Sequence, residues 1–119
     1  EVFLQGRTTT TNAVATTILT LAIPASTTRQ FNCLVTARRT GGAAGTAEDG
    51  AGYQAQAVYK NAAGTATEIG ESLTVVGEDQ AAFTVAYTPS GGNTLLQVTG
   101  ATDNDMTWHA SCRSYAVGS

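Results

Sequence analysis

A chain of 119 residues has room for one sizeable core, so a single domain must carry whatever the protein does. Charged residues make up 13% of it, apolar residues 42%, and the formal charge is −3, a balance without the clustered Lys and Arg that a nucleic-acid partner requires. No run approaches the ~20 apolar residues of a membrane-spanning helix, and no charged-then-apolar signal pattern opens the chain.

Residues 1–6, Glu1-Val2-Phe3-Leu4-Gln5-Gly6, resemble a picornaviral cysteine-protease recognition site with two letters transposed. They are read either as a tag remnant or linker or as authentic sequence, with 7–119 as the domain proper. From there the dominant signal is period-two alternation, the mark of half-buried strands, and helical periodicity is nearly absent. A first strand is expected over 17–23. In the next, Phe31, Cys33, Val35 and Ala37 face one way and Asn32, Thr36 and Arg38 the other, with Leu34 breaking the polar side. After a Gly/Ala-rich loop over 41–52, Tyr53, Ala55, Ala57 and Tyr59 alternate with Gln54, Gln56 and Lys60. Strands follow over 69–76, 83–88 and 94–99. The last has Met106, Trp108, Ala110 and Cys112 on one side, and Thr107, His109, Ser111, Arg113 and Tyr115 on the other.

The connections are rich in Gly, Asn, Asp and Ser, residues that tolerate the backbone of tight turns. Asn61-Ala62-Ala63-Gly64 and Pro89-Ser90-Gly91-Gly92-Asn93 read as hairpins. Seven to eight strands with no helical crossover predict an all-β, antiparallel β-sandwich or jelly-roll-like domain. The inward positions of several strands must meet in one core, which places Trp108 with Phe31, Val35, Phe83 and Val85.

Groups that could carry chemistry are few. Cys33 and Cys112 occupy equivalent inward positions, so a bridge is geometrically possible, beside the plainer reading of two buried thiols. Neither has the spacing of a zinc site. His109 lies mid-strand with no serine elbow or nucleophilic cysteine near it, and reads as a surface or interface residue. Glu48-Asp49-Gly50, Glu78-Asp79 and Asp103-Asn104-Asp105 sit in turns. The last opens like an EF-hand loop but has Trp108 and Ser114 where that loop needs Gly and Glu, so local capping explains these residues better than calcium. No catalytic residues, metal or cofactor are expected. Of the tyrosines, Tyr115 alone falls on the Arg113 side, away from the core.

The segments Leu34-Val35-Thr36-Ala37-Arg38-Arg39-Thr40, Gly50-Ala51-Gly52-Tyr53, Lys60-Asn61-Ala62-Ala63-Gly64-Thr65, Gly77-Glu78-Asp79-Gln80-Ala81-Ala82-Phe83, Val98-Thr99-Gly100 and Thr107-Trp108-His109-Ala110 together resemble a β-domain that recurs in tail fibres, tailspikes and related virion proteins of tailed bacteriophages. The similarity runs over most of the chain. It implies a non-enzymatic virion module that assembles as a homotrimer and attaches to a bacterial surface glycan, assembled in the host cytoplasm and carried on the particle. The alternatives are a capsid-surface or head-fibre module, and a glycan-binding part of a larger depolymerase. Under this reading Tyr115, Arg113 and His109 are the candidate ligand-binding residues. Arg38, Arg39, Glu78 and Asp79 are candidates for the subunit interface, the arginines meeting acidic turns of a neighbouring copy. Assembly in a reducing cytoplasm predicts free thiols at Cys33 and Cys112.

Overall fold

A computed structural model describes residues 2–118. Its regular structure is β1 (Val2–Thr10), β2 (Thr16–Ala22), β3 (Thr27–Gly41), β4 (Gly50–Asn61), β5 (Ala66–Glu78), β6 (Thr84–Ser90), β7 (Asn93–Thr99) and β8 (Asp105–Gly118). One sheet has the order β1-β8-β3-β4-β5 and the other β2-β7-β6, with antiparallel pairing throughout. The all-β sandwich read from the alternation is therefore the observed architecture, with five strands facing three. No helix among the described residues is long and apolar enough to cross a membrane.

The alternation decides which side of each strand is buried. Cross-strand partners share a face, so Phe31, Cys33 and Val35 of β3, opposite Ala57, Ala55 and Tyr53 of β4 and Ser114, Cys112 and Ala110 of β8, form one inward surface. Ile18, Leu21, Phe83, Val85, Tyr87, Leu96 and Val98 close over it from the side of the smaller sheet. Trp108 is fully buried at the centre. Phe83 meets it edge-on at 6.2 Å and Tyr53 lies nearly parallel to it at 6.4 Å, and the Phe83 contact ties the two sheets through one ring. The indole Nε1–H donates to Thr10 Oγ1 at 2.9 Å, and the Tyr87 hydroxyl donates to Ala55 O at 2.8 Å, so these large side chains are buried with their polar atoms paired.

Two features depart from the sequence-based expectation. Residues 2–6, read either as a tag remnant or linker or as authentic sequence and given no strand, form the first half of β1, in register with β8 from Val2 opposite Ser114 to Gly6 opposite Ala110. Gly6 faces inward, where a Cβ would collide with the Ile18 carbonyl oxygen and the Leu19 side chain; its bare backbone lets β2 close over β1. The second departure corrects the expectation of free thiols: Cys33 and Cys112 are joined in a disulfide. They stand directly opposite each other in the β3–β8 register with Cα atoms 4.0 Å apart, which brings the two sulfurs within bonding reach, and both are fully buried.

Trp108→Ala removes the ring on which both sheets pack. It is expected to cost about 3–5 kcal/mol, enough to unfold a domain of ordinary stability, and a urea titration followed by near-ultraviolet circular dichroism measures it. The disulfide closes a loop of 79 residues. Its removal as Cys33→Ala/Cys112→Ala is expected to lower stability by about 2–5 kcal/mol. Alkylation of the unfolded, unreduced wild type should add no alkyl group, and two added groups would contradict the bond.

Candidate binding surface

The side of the five-stranded sheet that faces away from the core is a nearly flat lattice of amides, hydroxyls and cations. Register fixes its rows. Phe3, Arg113, Asn32, Gln56 and Ser72 form one row from β1 to β5; Gln5, Ser111, Leu34, Gln54 and Thr74 form the next; Arg7, His109 and Thr36 a third. Tyr115 stands opposite Gln30 in a further row. Leu34 is 58% and Phe3 56% exposed, so the position that broke the polar side of β3 leaves an apolar side chain in the middle of this face.

His109, Arg113 and Tyr115 thus share one exposed face at i, i+4 and i+6 along β8 and span about 20 Å. Arg7 was not singled out in the sequence, because it adjoins the segment set aside at the N-terminus. In the fold it lies beside His109, and the two border a shallow groove of about 270 Å³ with Thr36, Arg38, Thr40 and Thr107.

The four residues proposed for an interface each bond within their own chain. Arg38 lies on the outer face and pairs with Glu48 of its own chain at 3.0 Å, both side chains largely exposed, a contact worth little by itself. Arg39 turns into the 42–49 loop, where Nε donates to Ala44 O at 3.0 Å and Nη2 to Gly42 O at 2.9 Å. Glu78 accepts from the Tyr53 hydroxyl at 2.6 Å, and Asp79 Oδ2 accepts from the Gly50 N–H at 2.8 Å. Burial first, and then Glu78, push the Tyr53 phenol well above its ordinary value, so it remains a donor.

The acidic turns, which nothing in the sequence joins, converge at one end of the sandwich. Gln80 Nε2 lies 2.9 Å from Asp49 Oδ2 and 3.0 Å from Asn104 Oδ1, and bridges all three turns. The Thr46 N–H and then Gln80 hold the Asp49 carboxyl below its ordinary value, with Arg39 adding to them and desolvation opposing. Gly42, at φ +110°, passes so close to the Asp103 carbonyl oxygen that no Cβ fits there. Among the described residues no three His, Cys, Asp or Glu side chains are grouped to hold a metal ion.

No protein-family model matches the sequence, and no curated protein matches it. The fold has solved counterparts. The tailspike protein of Acinetobacter baumannii phage AM24 matches over 99% of this chain and 26% of its own, with a TM-score of 0.58 and 11% identity. The tailspike gp49 of Acinetobacter baumannii bacteriophage Fri1, a capsular polysaccharide depolymerase, matches over 97% of this chain and 19% of its own, with a TM-score of 0.43 and 14% identity. The chain therefore has the β-sandwich fold of a domain found in a phage tailspike. It spans about a quarter of the AM24 protein's length.

Gln80→Ala removes the bridge among the three turns and is expected to cost about 1–2 kcal/mol. Because Asp49 titrates lower in the folded state, its contribution is fully present above the ordinary carboxylate value and lost as pH falls through the depressed one. The protection of the Gly50 and Asp79 amides from exchange, taken relative to the intrinsic rate at each pH, should fall in the variant at neutral pH, and in the wild type on acidification.

Proposed function

We propose that the chain is a non-enzymatic structural module of a tailed-phage virion, of the tail-fibre or tailspike type, which assembles with copies of itself and offers its outer sheet face to a bacterial surface glycan. The observation that carries this reading is the composition of that face. In a chain of net charge −3, the rows of Gln, Asn, Ser and Thr, with Arg7, His109 and Arg113 among them and Phe3 and Tyr115 at the margin, offer amide and hydroxyl partners for sugar hydroxyls and aromatic faces for stacking. The tailspike fold supports the same reading without choosing the function, since one fold hosts many. His109 lies exposed on a flat strand face, and the Asp49 and Asp79 carboxylates accept from backbone N–H groups, an arrangement that favours structure over catalysis. A buried disulfide suits a particle that persists outside the cell.

A glycan array probed with the protein tests attachment. Binding of one or more bacterial polysaccharides is expected, weakened by Tyr115→Ala and by Arg113→Ala, with the glycans left at their original chain length. A trimer that binds no glycan would favour the capsid-surface reading, and chain shortening abolished by His109→Ala would contradict the non-enzymatic one.

A further inference from the structure

The smaller sheet is too narrow to cover β5. That strand pairs only with β4 and is exposed along nearly its whole length. Its core-facing side carries Glu68, Glu71, Leu73 and Val75, the partners of Tyr59, Ala57, Ala55 and Tyr53, yet Leu73 is 42% and Val75 55% exposed. The gap left between the sheets is a wedge. At its narrow end the Ala66 N–H donates to Gly91 O at 2.7 Å and closes it. Toward the other end it opens into a cleft of about 250 Å³, with Tyr53, Leu73 and Val75 on one wall and Phe83 and Val85 on the other.

The strand of the smaller sheet that borders this gap is β6, which pairs only with β7. Its register with β7 runs without a shift from Thr84 to Ser90, whereas β5 is bulged at two places. The free edge of β6 is therefore the regular one, as far as Pro89, which has no N–H to donate. A regular unpaired edge accepts a further strand, whose main chain supplies affinity and whose alternate side chains supply specificity.

The uncovered strip of β5 says which strand fits. Leu73 and Val75 need apolar cover. Beside them Glu68 and Glu71 stand close together, because the bulge at Ile69 puts residues three apart on one face. Partial burial, and then the neighbouring Glu68 carboxyl, push the Glu71 carboxyl up, and among the described residues no Lys or Arg pairs with either. The Tyr87 phenol of β6 is pushed up by burial, then by Tyr59 and by Glu71, which puts the Glu71 charge within reach of the β6 edge.

We propose that the free edge of β6 is a docking site for an extended segment of a different protein, which adds a fourth strand to the smaller sheet and lays Lys or Arg against Glu68 and Glu71 and apolar side chains against Leu73 and Val75. The site shares no residue with the outer face and is separate from the self-assembly proposed above. A second copy of this chain fits it poorly: its strands are held in its own sheets, and its β5 would set carboxylate against carboxylate. A neutral strand would strip water from the two carboxylates and return nothing, so the pair also selects against such partners.

The probe is a synthetic peptide, blocked at both ends, that alternates threonine with lysine, lysine, valine and valine in that order. Laid antiparallel to β6, it sets its lysines toward Glu68 and Glu71 and its valines toward Leu73 and Val75. Two-dimensional NMR of the protein should show saturable shifts at β5, β6 and the cleft between them. A second peptide with glutamate in place of lysine should bind about tenfold or more weakly at low salt. Glu68→Lys/Glu71→Lys should reverse that order. Should this variant lose the wild-type near-ultraviolet spectrum, Glu71→Gln replaces it and should narrow the difference. Failure of the lysine peptide to bind, equal binding of the two peptides, or shifts confined to the outer face would each overturn the proposal. Shifts at β5 and β6 that grow with protein concentration and keep the peptide out would overturn it in favour of a second copy.

Discussion

The unequal width of the two sheets governs most of what is distinctive in this molecule. Three strands can bury the inward side of about four, and β2, β7 and β6 are centred on the strands that carry Trp108, Phe31, Val35 and Tyr59, where apolar side chains are largest. Trp108 anchors that overlap by touching Phe83, just ahead of β6 of the smaller sheet, and Tyr53 of the larger one. The fifth strand is left outside. It keeps backbone pairing with β4 but loses the packing that would stabilise a central strand, so its stability must come from one paired edge and from whatever covers it.

A second consequence follows at the end of the sandwich where β3 turns into β4. Apolar packing stops there, and the backbone of the 42–49 loop is satisfied by polar groups: Arg39 takes two loop carbonyls, Asp49 takes the Thr46 N–H, and Gln80 joins Asp49 to Asn104. Asn104 is itself buried, which makes these bonds obligatory, since an unpaired buried amide is costly. The acidic residues clustered in these turns are thus accounted for by local backbone satisfaction.

That outer face and the β5 edge differ in chemistry. One offers a broad array of neutral hydrogen-bonding groups, the chemistry suited to sugars. The other offers apolar area beside carboxylates, the chemistry suited to a protein neighbour. A disulfide between adjacent strands in the middle of the larger sheet holds the platform between them.

The sequence by itself determined the fold class, the inward and outward sides of the strands around Phe31, Tyr53, Phe83 and Trp108, and the burial of Trp108 with Phe31, Val35, Phe83 and Val85, because period-two alternation is a local property that each strand declares independently. It also separated Tyr115 from the core tyrosines. It did not reveal β1, whose Thr8-Thr9-Thr10 run and transposed protease-like opening carry no apolar alternation of their own; that strand exists because β8 offers it an edge. Nor could it pair Cys33 with Cys112, which are neighbours only through the β3–β8 register, or bring Arg7 beside His109, 102 positions apart in the chain. The exposure of β5 was equally hidden, since Leu73 and Val75 alternate as core residues do. Whether an inward side is covered depends on the width of the opposing sheet, and only the tertiary structure sets that.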